Sequence, residues 1–447
     1  MSSQYRELLQ EILVKDDFSE DTIKRAKWVI MDTIVAALYG IKTEKPLQNY
    51  IDSVSVEQDI ESNVRFPILG SDKFVTAKDS LVIHGTAIVS NELDEGNQFA
   101  KGHPAAHILP TIMISAIENK SSGKEFIKAF ILAYEASSRL AMASNMKDYM
   151  HPHGTWGNVG ATIAAGLLQR MKVDDIINAS MLSATFPLAT TWEAAEKGIT
   201  ARNLYTGLGS FIAYETLKLQ SYGFRSSSHV VEDVWKNIMA EGFDGSKLFE
   251  DLFSPPLIEK NYFKFYPSCR FTHASIDAMK NLISEYDFSL EDIDRVEVKT
   301  YGLAARCRSS KPKTPLEAKF SIPFMLSAIL HEKNLYTTNE ESVLFDPAIQ
   351  ELSSKIIVNE DEELNKLLPK KRAAQVAVIF KNNHTIKNIV YTAKGEYDQP
   401  LEEDQLIEKY NAMLGKYYSK SLLKTLKDNV FHIEICEDMN EFFNSNR

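Results

Sequence analysis

The spacing of apolar residues changes once along this chain of 447 residues, and that change constrains the fold more than any other feature. Before about residue 260, apolar residues recur at the spacing of a helical face. The clearest such segments are residues 23–38, 124–142, 155–168, 176–185 and 201–217. Strand patterns are sparse there, so we expect the first part of the chain to be made of packed helices.

After about residue 261 the pattern becomes mixed. Three segments alternate apolar and polar residues with the period of two that is typical of half-buried strands. These segments are residues 294–301, 374–380 and 387–392. Helical stretches at 315–330 and 347–358 lie between the first strand and the second. Strands interleaved with helices in this order predict a small α+β unit.

The length of the chain also indicates two domains, because single hydrophobic cores stop growing beyond about 250–300 residues. Residues 404–443 return to helical spacing, and we expect this tail to pack back on the first part. The predicted fold class is therefore mainly α. Residues 1–261 and 398–447 would form a large all-helical domain, and residues 262–397 a smaller α+β domain.

Composition and charge limit the kind of partner. The net charge of −11 and the pI near 5.5 argue against nucleic acid and anionic membranes, which attract basic surfaces. A small anionic substrate remains possible, since a pocket can be locally basic. Cys269, Cys307 and Cys436 form no metal-binding or disulfide pattern. We find no signal peptide and no apolar run of the ~20 residues that span a bilayer, so we expect a cytoplasmic protein.

One loop, residues 84–110, concentrates chemically active side chains between two apolar runs (HGTAIVSNELDEGNQFAKGHPAAHILP). Glu92, Asp94 and Glu95 lie within four positions, and Lys101 and His103 follow them. This composition is typical of a polar loop at the mouth of a buried helical core. An ordinary acidic turn followed by a capped helix explains the same residues, and the loop alone leaves both interpretations open.

Four further clusters carry titratable or cationic side chains before or at the start of helical segments. They are residues 149–157 with His151 and His153, 192–202 with Lys197, 264–273 with Lys264, Cys269 and His273, and 306–320 with Arg306, Arg308 and Lys311. Proton transfer at a carbon next to a carboxylate needs this mixture of acids, bases and fixed cations. Each residue also has a structural explanation, so the hypothesis depends on several of these loops meeting in one pocket.

Metal and cofactor motifs are weak or absent from the sequence. His103 and His107 are one helical turn apart, and Asp94 or Glu95 could add a ligand, but the glutamate of an HExxH zinc site is missing. The sequence has no GxGxxG or Walker loop for a phosphate cofactor and no GxSxG elbow for a serine hydrolase. We therefore expect neither a metal nor an organic cofactor.

The five clusters together resemble the MmgE/PrpD family, which includes 2-methylcitrate dehydratase, cis-aconitate decarboxylase and iminodisuccinate epimerase. The segments that carry the resemblance are NELDEGN…GHPAAHILP, HPHGTWGNVGA, EKGITARNLYTGLGS, KFYPSCRFTHASIDA and KPKTPLEAKFSIPFMLSAIL. The resemblance implies a large helical domain built from both chain ends, a smaller α+β lid and a homodimer. It also implies a pocket between the two domains and chemistry without a metal or an organic cofactor.

The resemblance also assigns roles to individual residues. The residues it implies for catalysis are His103, His151, Asp94 and Lys197. Those it implies for substrate binding are Lys264, Arg308, His273, Asn97 and Cys269. The acidic motif departs from the family, because Gly96 or Asn97 stands where the dehydratase and the decarboxylase carry a threonine. Cys269 likewise replaces a histidine of the decarboxylase.

The resulting functional prediction is a cofactor-independent lyase for a small di- or tricarboxylate. Dehydration of a substrate like 2-methylcitrate is the first choice. A decarboxylase like that of cis-aconitate and an epimerase of a dicarboxylate use the same side chains. A carboxylate-binding protein without catalysis is the non-enzymatic alternative. Retention of both the histidines and the lysines favours an enzyme.

Overall fold

The computed structural model describes residues 2–55, 66–338 and 340–445, and in these ranges the fold is mainly helical with small sheets, as predicted. No helix in these ranges is both long and apolar enough to cross a bilayer. The helices of the first part are α1 (Ser2–Leu13), α2 (Glu20–Thr43), α3 (Lys45–Val54), α4 (Ala77–Val89), α5 (Pro104–Glu118), α6 (Gly123–Ala143), α7 (Gly157–Leu168), α8 (Val173–Ser183), α9 (Trp192–Glu196) and α10 (Ala201–Ser221). A π-helical segment, Val231–Met239, follows α10.

Close packing of α4 against α10 positions one side of the later site. A Cβ atom on Gly85 would lie 2.5 Å from the Cα atom of Gly207, so only glycine allows this approach. The contact brings Arg202, in the first turn of α10, to the end of α4. There its Nη1 atom donates to the carbonyl oxygen of Val89 at 2.8 Å. The distance between the two helices is thus set by backbone against backbone.

Six short strands tie loops of the helical part together. They are β1 (Phe66–Pro67), β2 (Phe74–Val75), β3 (Gly96–Asn97), β4 (Ser144–Met146), β5 (Ala240–Phe243) and β6 (Asn261–Tyr262). The antiparallel pairs are β1 with β2, β3 with β6, and β4 with β5. The pairing of β3 with β6 matters most, because it joins the acidic loop to the start of the α+β part.

The α+β part contains one four-stranded sheet with helices around it. Its helices are α11 (His273–Glu285), α12 (Gly302–Ala305), α13 (Pro315–Lys319), α14 (Ile322–Leu330), α15 (Glu341–Leu344), α16 (Pro347–Ser353) and α17 (Glu362–Asn365). Its strands are β7 (Ile293–Thr300), β8 (Ile356–Glu360), β9 (Ala374–Phe380) and β10 (Thr385–Val390), in the order β10-β9-β7-β8. Among the described residues of this sheet, β7 and β8 alone pair in parallel.

Two large hydrophobic cores divide the described residues. The first contains residues of α1 to α8 together with the C-terminal helices α18 (Glu403–Leu414), α19 (Lys420–Phe431) and α20 (Met439–Ser445). The second is centred on the four-stranded sheet, α11 and α14. The predicted division at residues 261 and 398 stays a prediction.

Two segments of the α+β part differ from the sequence prediction. The helical stretch expected at 347–358 ends at Ser353, and Ile356–Glu360 form strand β8 instead. Ile356 and Val358 are buried on the inner face of this strand, which lies at the edge of the sheet and runs parallel to β7. The sequence prediction was wrong here because a short apolar run fits a helix and a strand equally well. The stretch expected at 315–330 is interrupted at Ser321, whose hydroxyl oxygen accepts the Phe324 N–H and caps a new helix.

Candidate active site

A cavity of about 300 Å³ lies where the helical part meets the α+β part. The helical part contributes His103, His151 and Arg202 to its lining, and the later segments contribute Tyr262, Arg270 and Arg372. Aromatic and aliphatic side chains cover most of the remaining wall. A pocket that is largely apolar with a few convergent polar groups is typical of a small-molecule site.

His103 is the central titratable group of this cavity. It lies immediately before α5, and Pro104 occupies the first helical position, where a missing N–H costs nothing. The Nδ1 atom of His103 is 2.6 Å from the Glu95 carbonyl oxygen and 2.9 Å from Asp94 Oδ2. Because two acceptors face Nδ1, that nitrogen carries a proton, and Nε2 is left for a substrate.

A buried network of opposite charges supports Asp94. Lys264 Nζ lies 2.8 Å from Glu92 Oε2 and 3.2 Å from Asp94 Oδ1, and Arg202 pairs with Glu92. Burial alone would raise the pKa of each carboxyl. His103 and Lys264 nevertheless bring the pKa of Asp94 below its usual range, and Arg202 and Lys264 do the same for Glu92. Two carboxylates therefore balance two fixed cations beneath His103.

Glu95, the third acid of the loop, behaves differently. Burial raises the pKa of Glu95 to about 8, so it is mostly protonated at neutral pH. Its Oε1 accepts the Ala105 N–H at 3.0 Å, in the first turn of α5, and its Oε2 accepts the Tyr134 hydroxyl at 3.0 Å. Glu95 thus holds the start of α5, and with it His103, without adding a third negative charge.

The turn that carries these acids is held in an unusual backbone conformation. Glu92 has a φ of 54°, in the left-handed region that few residues other than glycine adopt. Lys319 Nζ donates to the Ser90 carbonyl oxygen at 3.2 Å and to Asn91 Oδ1 at 2.9 Å. Lys409, from α18, donates to the Leu93 carbonyl oxygen at 2.8 Å. Buried lysines from two distant segments therefore fix the turn from outside.

His107 and His151 differ in what their nitrogens contact. His107 Nδ1 donates to the His103 carbonyl oxygen at 3.0 Å, and its Nε2 accepts the Gly154 N–H at 2.9 Å, so both nitrogens are used within the fold. His151 Nδ1 accepts the His153 N–H at 3.2 Å, which leaves its Nε2 as the donor. Burial, with Arg202 adding to it, lowers the pKa of His151 well below its usual value, so the ring is neutral.

His153 is the one histidine of this cluster whose two ring nitrogens lack a hydrogen-bond partner among the described residues. Ligand atoms of His153, His103 and Asp94 lie within 4.8 Å of one another, an arrangement that could hold a metal ion. Arg202 and Lys264 oppose this, because their positive charges would repel a cation at Asp94. The expectation that no metal binds here stays a prediction.

The structure brings most of the predicted catalytic residues together. His103 and His151 line the cavity, and Asp94 lies directly behind His103. Cys269, predicted to bind substrate, is buried and lines the cavity too. Lys264 is close but fully buried beneath the lining, with its ammonium on the carboxylates. This geometry suits a residue that positions Asp94 better than one that binds substrate.

Two predicted residues lie away from the cavity. Lys197 is at the surface, where its side chain is 66% exposed and pairs with Glu193 one helical turn earlier. Arg308 is also exposed and is not among the lining residues. Lys197 follows α9 in the helical part and Arg308 follows α12 in the α+β part, and membership of the motifs did not bring either side chain into the cavity. Their roles in catalysis and binding stay predictions.

Asn97 and His273 are buried and hold the framework together. The Oδ1 atom of Asn97 accepts the N–H groups of Phe99 and Ala100, and its Nδ2 atom donates to the Leu257 carbonyl oxygen at 2.8 Å. His273 Nδ1 lies 2.7 Å from Arg270 Nη1, and its Nε2 lies 3.2 Å from the Ser268 carbonyl oxygen. Neither lines the cavity, so their predicted role in binding substrate stays untested.

Gly96, where the family pattern has a threonine, has a steric explanation. It pairs with Tyr262 in the two-stranded sheet of β3 and β6. A Cβ atom on Gly96 would lie 2.4 Å from the Tyr262 hydroxyl oxygen, so the tyrosine occupies the space of the missing side chain. Tyr262 lines the cavity next to His103, with ring centroids 6.3 Å apart.

Sequence reasoning missed three arginines of the cavity. Arg202 and Arg270 lie inside the EKGITAR and YPSCRFTH segments, in which the resemblance assigns roles to a neighbouring lysine and histidine but not to the arginine. Arg372 follows Lys370 and Lys371 just before β9, a place where a basic run is usually a solvated surface. Arg372 had no sequence signal, because its access to the cavity depends on how the sheet docks on the helical part.

A histidine held by a carboxylate at the wall of a cavity with several arginines is typical of an acid–base site for a small anionic compound. Sequence comparison agrees with this class. The MmgE/PrpD N-terminal domain matches residues 13–248 and the MmgE/PrpD C-terminal domain matches residues 266–430. The chain belongs to the MmgE/PrpD family, as its motifs predict.

Relatives with established names are similar along nearly the whole chain. The cis-aconitate decarboxylase of Aspergillus terreus is 22% identical over 463 residues, which cover 96% of this chain and 92% of the relative. The cis-aconitate decarboxylase of Homo sapiens is 24% identical over 452 residues, covering 94% and 89%. That of Mus musculus is 21% identical over 448 residues, covering 94% and 88%.

Proposed function

We propose that this protein is a lyase that acts on a small di- or tricarboxylate by transferring a proton at a carbon next to a carboxylate. The observation that carries the proposal is the pairing of Asp94 with His103 at the wall of a cavity lined by arginines. The similarity to named carboxy-lyases supports the same substrate class.

His103 would transfer the proton. Its Nδ1 is held by Asp94 and by the Glu95 carbonyl oxygen, which leaves Nε2 as the nitrogen that would exchange a proton with the substrate. Asp94 stabilises the positive charge on the ring when Nε2 is protonated. Lys264 keeps Asp94 ionised and in place. Because these groups are already in place, the proton transfer needs no rearrangement of the buried network.

Arg202 and His151 would bind the carboxylate next to the reacting carbon. The Nε atom of Arg202 is buried without a partner among the described residues, although the rest of its guanidinium pairs with Glu92 and Val89. His151 is neutral and offers Nε2–H as a hydrogen-bond donor. Both groups stabilise negative charge on carboxylate oxygens as a carbanion develops.

Decarboxylation fits these groups better than dehydration. When a carboxylate leaves as carbon dioxide, the electron pair of the broken C–C bond moves onto the remaining unsaturated acid, and protonated His103 supplies the one proton needed. Dehydration needs a base and also an acid for the departing hydroxide. Because its pKa is lowered, the His151 ring is neutral and has no imidazolium proton to give to a departing hydroxide. Dehydration of a 2-methylcitrate-like substrate remains the second candidate, on the sequence pattern.

The test is turnover by purified protein after dialysis against EDTA, with cis-aconitate, 2-methylcitrate and citrate in D₂O. Products are identified by NMR and mass spectrometry, so loss of carbon dioxide, loss of water and deuterium exchange are distinguished. We expect decarboxylation that falls about 100-fold or more in His103→Asn and persists without metal. No turnover of any of these acids, or full activity in His103→Asn, would refute the proposal.

Lys197→Met belongs in the same assay. Lys197 is predicted to be catalytic but lies at the surface, paired with Glu193. A loss as large as that in His103→Asn would mean that its segment moves into the cavity when substrate binds. Unchanged turnover would remove Lys197 from the catalytic residues. Asp294→Asn, in an exposed ion pair with Arg295, serves as the surface control.

We also propose that the chain forms a homodimer and acts in the cytoplasm. Leu204, Leu208 and Leu219 lie along one side of α10 and are about 40% exposed, an unusual apolar stripe for a free surface. The same helix carries Arg202 into the site. Light scattering of wild type and Leu208→Glu tests the dimer, because we expect the introduced charge to dissociate it.

The proposal of a cytoplasmic location is based on the free thiols, which suit a reducing compartment.

A further inference from the structure

The three arginines of the cavity differ in their ion pairs. Arg202 pairs with Glu92, and Arg270 pairs with Glu396 at 2.9 Å. Arg372 has no carboxylate at ion-pair distance within the described ranges. The carboxylate that acts on it most strongly, Glu396, is already bound by Arg270. Arg372 therefore presents a positive charge to the cavity without a fixed counterion.

The contacts of Arg372 orient its guanidinium without satisfying it. Its Cζ atom lies 5.6 Å from the centre of the Tyr262 ring and 5.9 Å from that of Phe271. Its Nη2 donates to the Gln98 carbonyl oxygen at a long 3.4 Å, and the Tyr262 side chain is a second hydrogen-bond partner, so the fork of N–H donors is satisfied only in part. Aromatic faces hold the planar group in position but accept few hydrogen bonds. A carboxylate from solution would satisfy the fork of N–H donors with two parallel hydrogen bonds.

Tyr262 lies close to both Arg372 and His103, the proposed proton donor. Its ring centroid is 6.3 Å from that of His103, and it also contacts Arg372. His103, Tyr262 and Arg372 all line the same cavity. A ligand that places its reacting carbon at His103 can therefore extend past Tyr262 towards Arg372.

We propose that Arg372 binds a second carboxylate of the substrate, remote from the reacting carbon, so that the site selects acids with at least two carboxylates. This inference rests on the proposed function and specifies its substrate class. Arg202 would hold the carboxylate at the reacting end, and Arg372 would hold the far one. A monocarboxylate of the same chain length would leave the Arg372 guanidinium unpaired, and would bind more weakly for that reason.

Binding of unreactive ligands tests the proposal independently of turnover. The probes are glutarate and butyrate, which differ by one carboxylate, titrated by calorimetry at constant pH and ionic strength. The variants are Arg372→Gln, Arg372→Lys and Lys371→Gln. Lys371 is the matched control, because it carries the same charge one residue earlier but pairs with Asp398 and does not line the cavity.

We expect wild type to bind glutarate at least about tenfold more tightly than butyrate. Arg372→Gln should abolish that preference, because it weakens the binding of glutarate and leaves the affinity for butyrate within about twofold of wild type. Arg372→Lys should keep part of it, since an ammonium retains the charge but not the two parallel hydrogen bonds. Lys371→Gln should behave as wild type. Thermal unfolding of each variant checks that the fold is intact.

Other results would overturn the subsite. These are equal affinity of wild type for the two probes, no binding at millimolar concentration, or an unchanged preference in Arg372→Gln. An equal loss in Lys371→Gln would assign the preference to long-range charge and not to Arg372. Failure of the lyase proposal looks different: glutarate preference would persist and depend on Arg372 in a protein that turns over none of the acids.

Discussion

The carboxylate oxygen Oδ2 of Asp94 lies 2.9 Å from Nδ1 of His103, and the other carboxylate oxygen lies 3.2 Å from Nζ of Lys264. One side chain thus connects the proton carrier at the cavity wall to a buried cation. The arrangement orients the imidazole and stabilises its charged form, as a carboxylate does in other histidine-dependent sites. It also makes Asp94 the residue through which the buried network acts on chemistry.

Replacing Asp94 by asparagine should therefore reduce kcat about 100-fold or more with a smaller effect on KM, because the amide keeps the shape but not the charge. Steady-state kinetics with the best substrate measures this. Asp294→Asn, in an exposed pair with Arg295, should change kcat less than twofold. Equal kinetics for wild type and Asp94→Asn would show that His103 does not depend on its carboxylate partner.

Lys264 and Lys197 should differ in their effect on stability. Lys264→Met leaves Glu92 and Asp94 as buried carboxylates without their ammonium, which should lower the free energy of unfolding by about 3–5 kcal/mol. Lys197→Met removes only an exposed pair with Glu193, so the free energy of unfolding should hardly change. Urea unfolding measures both. Similar losses in the two variants would contradict the buried network.

Glu95 should make the free energy of unfolding depend on pH at values above the ordinary pKa of a glutamate. Its pKa is raised by burial to about 8 in the folded chain, so between pH 5 and pH 8 the folded state holds a proton that the unfolded state has lost. This contribution to stability is complete at low pH and declines as pH rises, by up to about 1.4 kcal/mol per pH unit. Glu95→Gln removes the titration.

The measurement compares the free energy of unfolding of wild type and Glu95→Gln at several pH values in that window. The difference between the two proteins should change steadily in favour of the glutamine variant as pH rises. A constant difference from pH 5 to pH 8 would mean that Glu95 is ionised in the folded chain despite its contacts with Ala105 and Tyr134.

The sequence was sufficient for most helices and for the family, because helical spacing and segment motifs are local properties. It also indicated His103, His151 and Asp94, which lie on two segments rich in polar and small residues. It could not distinguish Lys197 from Lys264. Both lie in motifs that carry the family resemblance, yet one is exposed and the other is fully buried, and only packing between distant segments decides that.

The same limit explains why the sequence did not predict the cavity arginines or strand β8. Arg372 reaches the cavity only because the loop before β9 packs against Tyr262 and Phe271, a contact between parts far apart in the chain. Strand β8 exists because Ile356–Glu360 pair with β7 across a parallel register, which no local pattern encodes. Residues that depend on the docking of two parts are those that sequence reasoning misses.

Gly96 should resist replacement by the threonine of the family pattern. Gly96→Thr places a Cβ atom where the Tyr262 hydroxyl now lies, so we expect a loss of about 1–3 kcal/mol in the free energy of unfolding. Gly242→Ala, at a β5 position with open space, should change it by less than about 0.5 kcal/mol. Tyr262→Leu combined with Gly96→Thr should recover part of the loss. If the stability losses of the two single variants simply add in the double variant, the steric explanation is excluded.

His153 and His107 should respond oppositely to replacement by leucine. His107→Leu leaves the Gly154 N–H and the His103 carbonyl oxygen without partners, which should cost about 1–3 kcal/mol each in the free energy of unfolding. His153→Leu removes a ring whose nitrogens have no hydrogen-bond partner in the described part of the chain, so stability should hold or rise. Thermal unfolding with and without added Zn²⁺ measures both effects. If Zn²⁺ stabilises wild type but not His153→Leu, then Asp94, His103 and His153 bind the metal despite the neighbouring cations, and the expectation of metal-free chemistry is wrong.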